Sequence, residues 1–176
     1  MLPTAGRRLT LVAAAAVEPA VLAAISGAIE RTWGLSVSTR MAPLLLPPSG
    51  PAWRGSQLFA EEVLRLLKGL LHEERMLALA VVRADITVPI MQYVMGEAEM
   101  GGSCAVISLA RVGQDLVEER AAKLAIHEVG HLFDLAHCDN RDCTMTPVAS
   151  VDELDARPTA LCRYCLSDLE YRLKAP

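Results

Sequence analysis

The chain has 176 residues, of which 52% are apolar and 22% are charged, and its formal net charge is −4 with a pI of about 5.6. This composition is typical of a globular protein, and the length allows one compact domain with a substantial core. The absence of a Lys/Arg cluster argues against nucleic-acid binding, and no apolar run reaches the roughly 18–20 residues that a membrane span needs.

Hydrophobic periodicity predicts alternating strands and helices. In chain order we predict a strand at 8–17, a helix at 19–32, a strand at 35–41, a Pro-rich loop at 44–51, a helix at 55–73, a strand at 76–83, strands at 91–96 and 104–110, a helix at 114–134 and a terminal helix at 163–174. Strands that alternate with helices imply an α/β fold with a largely parallel sheet and right-handed crossovers.

The N-terminal segment has two interpretations. Arg7-Arg8 and the apolar run from Leu9 to Val17 resemble a short signal peptide, even a twin-arginine one. The same run also fits a buried first strand with a basic flank, after which Pro19 is well placed at the start of a helix.

Three of the four histidines of the chain lie in one short segment near the end of the predicted helix at 114–134. His127 and His131 are four residues apart, so a helix places both imidazoles on one face, with Glu128 beside them. His137 follows six residues later, where a helix that ended near residue 134 would let it swing back. Three nitrogen ligands with an open fourth position are typical of catalytic zinc, whereas a HExxH string alone also arises by chance.

Four cysteines follow this segment in two close pairs. Cys138 and Cys143 come first, and Cys162 and Cys165 form a CxxC pair further on. This spacing predicts a four-thiolate zinc site, with disulfide pairing and a thioredoxin-like redox pair as the alternatives. Cys104 lies in an apolar run, and we interpret it as a buried, inert thiol.

These residues together resemble the metzincin signature and, more narrowly, that of the archaemetzincins, HExxHxxGxxHCx4CxM with a distal CxxC. The matching residues are His127, Glu128, His131, His137, Cys138, Cys143, Met145, Cys162 and Cys165. Further segments that resemble the family are Arg54–Gln57, Asp85-Ile86, Pro89, Val94–Ala98 and Ile107–Arg111. The resemblance therefore covers most of the chain from about residue 8 onward.

The resemblance implies a metzincin-like single domain over residues 1–176. Its sheet would be mixed and mostly parallel, with an antiparallel edge strand, and would pack on the zinc helix within residues 8–137. Residues 138–176 would form a smaller part held by the four-cysteine zinc site. Met145 would be the methionine of the turn beneath the catalytic metal, although a single Met is more often ordinary core filling.

One residue departs from the family pattern, because Asp134 stands where the motif has glycine. In the first interpretation, Asp134 adopts the left-handed conformation that this glycine provides, and His137 is the third ligand. In the second, Asp134 is itself an oxygen ligand, since it lies three residues after His131 on the same helical face. The intact spacing to Cys138 favours His137.

The resemblance implies hydrolysis of peptide bonds by a zinc-activated water, with Glu128 as the general base. We expect two zinc ions, one catalytic at His127, His131 and His137, and one structural at the four cysteines. A peptide substrate would lie along an exposed sheet edge at residues 91–97, by strand addition. Residues 146–150 would line one wall, and Tyr93 and Tyr164 are either transition-state donors or ordinary packed tyrosines.

The competing hypothesis is a zinc-stabilised peptide-binding protein whose active site has decayed; a disulfide-bonded secreted protein is a third option. The presence of Glu128 favours the enzyme, because a binding module has no evident need for that carboxylate. We expect a monomer that acts on peptides or proteins and has neither nucleic-acid nor membrane partners. Zinc thiolates are safer in a reducing compartment, so we expect the cytoplasm, with a signal peptide still open.

Overall fold

The computed structural model describes residues 7–13, 16–42, 50–71 and 76–174. Positions 14–15 of the predicted first strand, 44–49 of the predicted loop and 72–73 of the predicted second helix lie outside these residues. Among the residues that are described, no helix is long and apolar enough to cross a membrane.

Strands and helices are interspersed along the described chain, mostly in groups of the same kind. The strands are β1 (Arg8–Ala13), β2 (Ser36–Met41), β3 (Trp53–Arg54), β4 (Gln57–Phe59), β5 (Met76–Val82), β6 (Ile86–Thr87), β7 (Gly96–Ala98) and β8 (Cys104–Ser108). The helices are α1 (Pro19–Trp33), α2 (Ala60–Lys68), α3 (Val117–Leu132), α4 (Val151–Asp155) and α5 (Arg163–Lys174).

The main sheet has five strands in the order β2-β1-β5-β8-β7. The first four are mutually parallel, and β7 runs antiparallel to β8. A smaller sheet has the order β3-β4-β6, with β4 antiparallel to β3 and parallel to β6. The mixed, mostly parallel sheet with an antiparallel edge strand confirms the predicted fold class.

The two faces of the main sheet bury separate sets of side chains. In β5, Leu77, Leu79 and Val81 join the core formed with α1 and α3, whereas the alternate residues Ala78 and Ala80 join the core beneath α2. This alternation is the period of two that a strand covered on both faces requires. The helix that carries the histidines is therefore fixed against one face of the sheet.

The N-terminal run forms β1, which lies between β2 and β5 in the sheet. Its side chains from Leu11 to Ala13 are buried, and α1 begins at Pro19. Of the two interpretations of this segment, the described residues thus adopt the buried strand.

Several predicted elements end earlier or begin later in the structure, since β1 ends at Ala13 and α3 spans only Val117–Leu132, and two predictions were wrong in more than their ends. The second helix does not begin at residue 55, because β3 and β4 form a hairpin that turns at Gly55, whose φ is +62°, and α2 begins only at Ala60. The strand predicted at 91–96 is instead β7, Gly96–Ala98, and the preceding residues are irregular except for one bridge between Val94 and Ile86. Strands of only two or three residues are too short to show an alternating pattern, so the periodicity missed them.

Helix α4 was not predicted from the sequence. It spans five residues, Val151–Asp155, and its N-cap is Ser150, whose hydroxyl accepts a hydrogen bond from the Glu153 amide at 3.2 Å. The helix places Leu154 in the core that also contains residues of α3. The segment beyond the histidines therefore packs back onto the helix that bears them.

Candidate metal centre

The C-terminal half of α3 and the turn that follows it bring three imidazoles together. His127 and His131 lie one turn apart on α3, and His137 returns toward them after the helix ends at Leu132. The ring centroids are 4.7 Å apart for His127 and His131, 5.3 Å for His127 and His137, and 4.9 Å for His131 and His137. One nitrogen of each ring lies within 4.8 Å of the others, a spacing that lets one metal ion contact all three.

Backbone carbonyls fix the tautomers of the two helical imidazoles. Nδ1 of His127 lies 2.8 Å from the carbonyl oxygen of Thr144, and Nδ1 of His131 lies 2.8 Å from that of Leu135. A carbonyl oxygen only accepts, so both Nδ1 atoms carry the proton, and both Nε2 atoms present lone pairs. Hydrogen bonding of Nδ1 to a backbone carbonyl is the usual way in which a protein orients a metal-ligating histidine.

The two Nε2 atoms are only 3.1 Å apart. Burial lowers the pKa of His127 to about 4 and lowers the pKa of His131 as well, so both rings are neutral near pH 7. Two lone pairs at this distance repel each other unless a cation lies between or beside them. The donor set of the described residues therefore fits a divalent metal ion.

Glu128 is buried next to this cluster, against the edge strand. A Cβ atom built on Gly96 of β7 would lie 2.2 Å from Oε1 of Glu128, so the carboxylate occupies the space that a side chain at position 96 would need. Burial, together with the nearby Glu97 carboxylate, raises the pKa of Glu128 well above its ordinary range. A carboxylate with a raised pKa binds a proton more strongly than an ordinary carboxylate, a property that suits a general base.

Met145, which the resemblance assigned to the turn beneath the metal, packs against α3 at Gly130. Its side chain is fully buried, and a Cβ atom built on Gly130 would lie 2.3 Å from its sulfur atom. Its carbonyl oxygen accepts a hydrogen bond of 3.0 Å from the amide of Cys138. Gly130, which lies between the two helical histidines in the sequence, thus leaves the room that Met145 fills.

The four cysteines form a second cluster, whose first member, Cys138, directly follows His137 in the sequence. Four sulfur atoms lie within 4.8 Å of one another, those of Cys138, Cys143, Cys162 and Cys165. The Cys138–Cys162 and Cys143–Cys165 sulfur distances are 3.9 and 3.6 Å, beyond the roughly 2.05 Å of a disulfide, and all four thiols are free. This arrangement suits a tetrahedral thiolate site and not the disulfide alternative.

The environment at the start of α5 favours ionisation of one of these four thiols. Burial raises the pKa of Cys162, but hydrogen bonds with the backbone of Cys165 and Tyr164 and with the Cys143 side chain outweigh it and lower the pKa to about 6. The fifth cysteine, Cys104, is buried in β8, and burial raises the pKa of its thiol, in keeping with the predicted inert role.

Asp134 ends α3 in the way that the missing glycine would. Its φ is +62°, its amide donates to the carbonyl of His131 at 2.8 Å, and the amide of Leu135 donates to the carbonyl of Gly130 at 3.1 Å. This pair of bonds is a Schellman motif with Asp134 at its left-handed position. The carboxylate forms an ion pair with Arg172 of α5 and so is held by that helix.

A cleft of about 880 Å³ extends along the histidine cluster. Strand β7 borders it on one side, and the segment Pro147–Ala149 lines it on another. The hydroxyl of Tyr93 donates to the carbonyl of Ala149 at 2.7 Å, which joins these two walls. Tyr164 instead lies on the exposed surface of α5, so of the two candidate tyrosines only Tyr93 lines the cleft.

Sequence reasoning missed Lys123, which also lines the cleft. Its side chain is almost completely buried, and its ammonium group donates to the carbonyl of Asp155 at 2.9 Å and pairs with Glu119 at 2.8 Å. The helical spacing could have predicted this position, because Lys123 precedes His127 by four residues and a helix places both on one face.

Comparison with known proteins gives the family. The model of peptidase family M54 matches residues 53–171, a range that includes the histidine cluster, the cysteine cluster and β7. The chain belongs to peptidase family M54. This is a family of zinc metallopeptidases, and the match confirms the resemblance to archaemetzincins that the motif indicated.

Individual members of the family agree with this assignment. The archaemetzincin of Archaeoglobus fulgidus is 42% identical over 96 residues, which cover 53% of this chain and 59% of that protein. The archaemetzincin of Methanopyrus kandleri is 36% identical over 122 residues, 67% of this chain and 69% of that protein. The alignment thus spans less than two thirds of the Archaeoglobus relative.

The fold is also shared with a solved archaemetzincin. The crystal structure of the Methanopyrus kandleri protein superimposes with a TM-score of 0.86 and 27% identity, covering 99% of this chain and all of that one. The similarity therefore extends over both the sheet and the C-terminal cysteine segment.

Proposed function

We propose that this protein hydrolyses peptide bonds with a zinc ion held by His127, His131 and His137, and with Glu128 as the general base. The observation that carries the proposal is the 3.1 Å distance between the Nε2 atoms of His127 and His131, with the His137 ring beside them. Zinc held by these three imidazoles would supply Lewis acidity for a scissile carbonyl and for the attacking water.

Individual side chains and backbone carbonyls have distinct roles in this proposal. Glu128 takes the proton from the attacking water and returns it to the leaving amine. This role is assigned to Glu128 because its buried carboxylate directly follows His127 in the sequence and has a raised pKa. The carbonyls of Thr144 and Leu135 hold the two helical imidazoles in the ligating tautomer. Met145 packs beneath the helix that bears them.

Strand β7 is the proposed binding edge for the peptide backbone. Within the described sheet its only neighbour is β8, so its other edge is available for strand addition. Gly96, the first residue of this strand, contacts Glu128. A peptide paired with β7 would therefore place a backbone carbonyl close to the general base.

We propose that the four cysteines hold a second zinc ion with a structural role. Cys138 directly follows His137, so the thiolate site fixes the chain on one side of the third histidine. Closed sites with four thiolates are structural, whereas three imidazoles leave a position free for chemistry.

The first test is the metal content. Protein purified without added metal is expected to contain about two zinc ions per chain by elemental analysis, since each cluster offers three or four ligands. A chelator in excess should remove the ion of the open histidine site first, leaving about one zinc per chain, because a closed thiolate site is the tighter one. Folded protein that reproducibly lacks zinc would contradict both proposed sites.

The second test concerns Asp134. Asp134→Gly removes a left-handed penalty of about 1 kcal/mol and loses an exposed ion pair with Arg172 that contributes about 0–1 kcal/mol, so the unfolding free energy should change little or rise. Zinc content and peptide hydrolysis should persist. Chemical unfolding measures the unfolding free energy, and elemental analysis measures the zinc content. Asp168→Gly is the control, because it also removes a carboxylate that pairs with Arg172. Residue 168 lies within α5, where glycine should lower the unfolding free energy.

Loss of one zinc ion from Asp134→Gly would contradict the three-histidine site. Retention of that zinc in His137→Ala, alongside such a loss, would instead identify Asp134 as the third ligand.

A further inference from the structure

The loop between β6 and β7 presents large apolar side chains at the rim of the cleft. In this edge loop, residues 88–93, Ile90 is 92% exposed and Met91 is 50% exposed. Met100, beyond the other end of β7, is 52% exposed, and all three residues line the cleft beside the histidines. Three of the eight large apolar residues that are exposed in the described chain therefore border one site, and such clustering marks a binding surface.

The backbone of the edge loop is held by polar side chains of the smaller sheet. One nitrogen of the Arg54 guanidinium donates to the carbonyls of Met91 and Gln92 at 2.7 and 2.9 Å. The side-chain amide of Gln57 also donates to the Gln92 carbonyl, at 2.8 Å, and to the Asp85 carboxylate at 2.9 Å. The carbonyls of the loop thus bind a polar network, while its apolar residues Ile90 and Met91 border the cleft and remain exposed.

A further charged layer supports this network. Arg111 donates to both carboxylate oxygens of Asp85, at 2.7 and 2.6 Å, and its guanidinium lies 4.0 Å from the ring centroid of Tyr93, at the end of the loop. A loop that is fixed before a ligand arrives loses little conformational entropy on binding. More of the free energy gained by burying its apolar surface therefore contributes to affinity.

We propose that the edge loop selects peptides with a large apolar side chain, which packs against Ile90 and Met91 while the peptide backbone lies along β7. This inference rests on the proposed peptidase function and names the substrate class of that same cleft. The occupant is a peptide because the loop leads directly into β7, whose free edge offers backbone hydrogen-bonding groups. The opposite wall, Pro147–Ala149, is also largely apolar, which suits the same side chain.

Binding is tested separately from hydrolysis with the zinc-loaded Glu128→Gln protein, which keeps the cleft but lacks the proposed base. The probes are fluorescein-labelled peptides of glycine and serine that carry a single leucine, moved stepwise along the sequence, and a leucine-free parent. Leucine at one position is expected to lower the dissociation constant about tenfold, the change that about 1.4 kcal/mol of apolar burial produces.

Ile90→Ser and Met91→Ser, each introduced into the Glu128→Gln protein, should abolish the gain from leucine and leave the affinity for the leucine-free peptide unchanged. Met41→Ser is the matched control, because Met41 is 52% exposed at the end of β2 and does not line the cleft. Zinc content and the melting temperature should be the same in all these variants.

Three results would overturn the proposal. The first is equal affinity for all the peptides, and the second is a preference for leucine that persists when Ile90 and Met91 are both serine. The third is a concentration-dependent dimer, seen by sedimentation of the wild type and lost in Met91→Ser, which would assign the loop to self-association. Hydrolysis by the wild type is scored independently: cleavage without a leucine preference refutes only this inference, whereas leucine-dependent binding without any cleavage refutes only the hydrolytic function.

Discussion

Glu128→Gln is expected to lower kcat/KM for peptide hydrolysis by about a hundred- to ten-thousand-fold, the usual contribution of a general base. Glutamine has the same shape as glutamate and still fills the space that Gly96 leaves, but it cannot take a proton from water. The zinc content should stay at the wild-type value, because Glu128 is not among the proposed ligands.

The same substitution should not lower the unfolding free energy. Burial raises the folded-state pKa of Glu128 above its unfolded value, so the ionised carboxylate disfavours folding as the pH rises above the unfolded pKa. The neutral amide avoids this cost. Chemical unfolding at neutral pH, without and with a chelator, measures the effect.

Hydrolysis of a broad peptide library, read by mass spectrometry, measures the activity of this variant. Glu118→Gln is the matched control, since Glu118 is an exposed residue in the first turn of the same helix. An unchanged kcat/KM in Glu128→Gln would exclude Glu128 as the base. A zinc-loaded wild type that binds peptides but cleaves none would favour the alternative of a peptide-binding protein whose active site has decayed.

Cys162→Ser is expected to have the largest effect on stability, whereas His137→Ala should have a small one. Cys162 is buried, its sulfur is part of the four-thiol cluster, and its amide lies 3.3 Å from the Cys143 sulfur. Structural zinc in small domains contributes about 10–16 kcal/mol of apparent binding free energy, which is also folding free energy. His137 is exposed, so its removal should weaken the catalytic zinc and leave the core intact.

Elemental analysis, circular dichroism and limited proteolysis of the two variants separate these outcomes. His137→Ala should keep about one zinc per chain in a folded protein. Cys162→Ser should expose residues 138–176 to protease. Cys104→Ala, which removes the buried thiol of β8 outside the cluster, should keep both zinc ions. An unfolded His137→Ala beside a stable Cys162→Ser would reverse the assignment of the two sites.

Local spacing explains why the histidine cluster and the cysteine cluster could be predicted from the sequence. His127 and His131 are one helical turn apart, and any helix over these residues places them on one face. Cys162 and Cys165 are equally close along the chain. The left-handed conformation expected for Asp134 is present as well, because the turn that returns His137 allows few alternatives.

Contacts between distant segments explain what the sequence did not reveal. The edge loop depends on Arg54 and Gln57, which lie more than thirty residues before the carbonyls they bind. Their hairpin turns at Gly55, and the helical interpretation of that stretch concealed it. No periodicity encodes a pairing of this kind, since it depends on which elements the fold brings together.

The contact between Gly96 and Glu128 has a consequence for the comparison of sequences in this family. A Cβ atom at position 96 would lie 2.2 Å from Oε1 of Glu128 and would collide with it. The position of the proposed base therefore requires glycine at residue 96. Residue 96 lies thirty-one positions before His127, outside the HExxH string by which such proteins are usually found. A homologue that retains every metal ligand but replaces this glycine is therefore a candidate pseudoenzyme, recognisable in a genome before any assay.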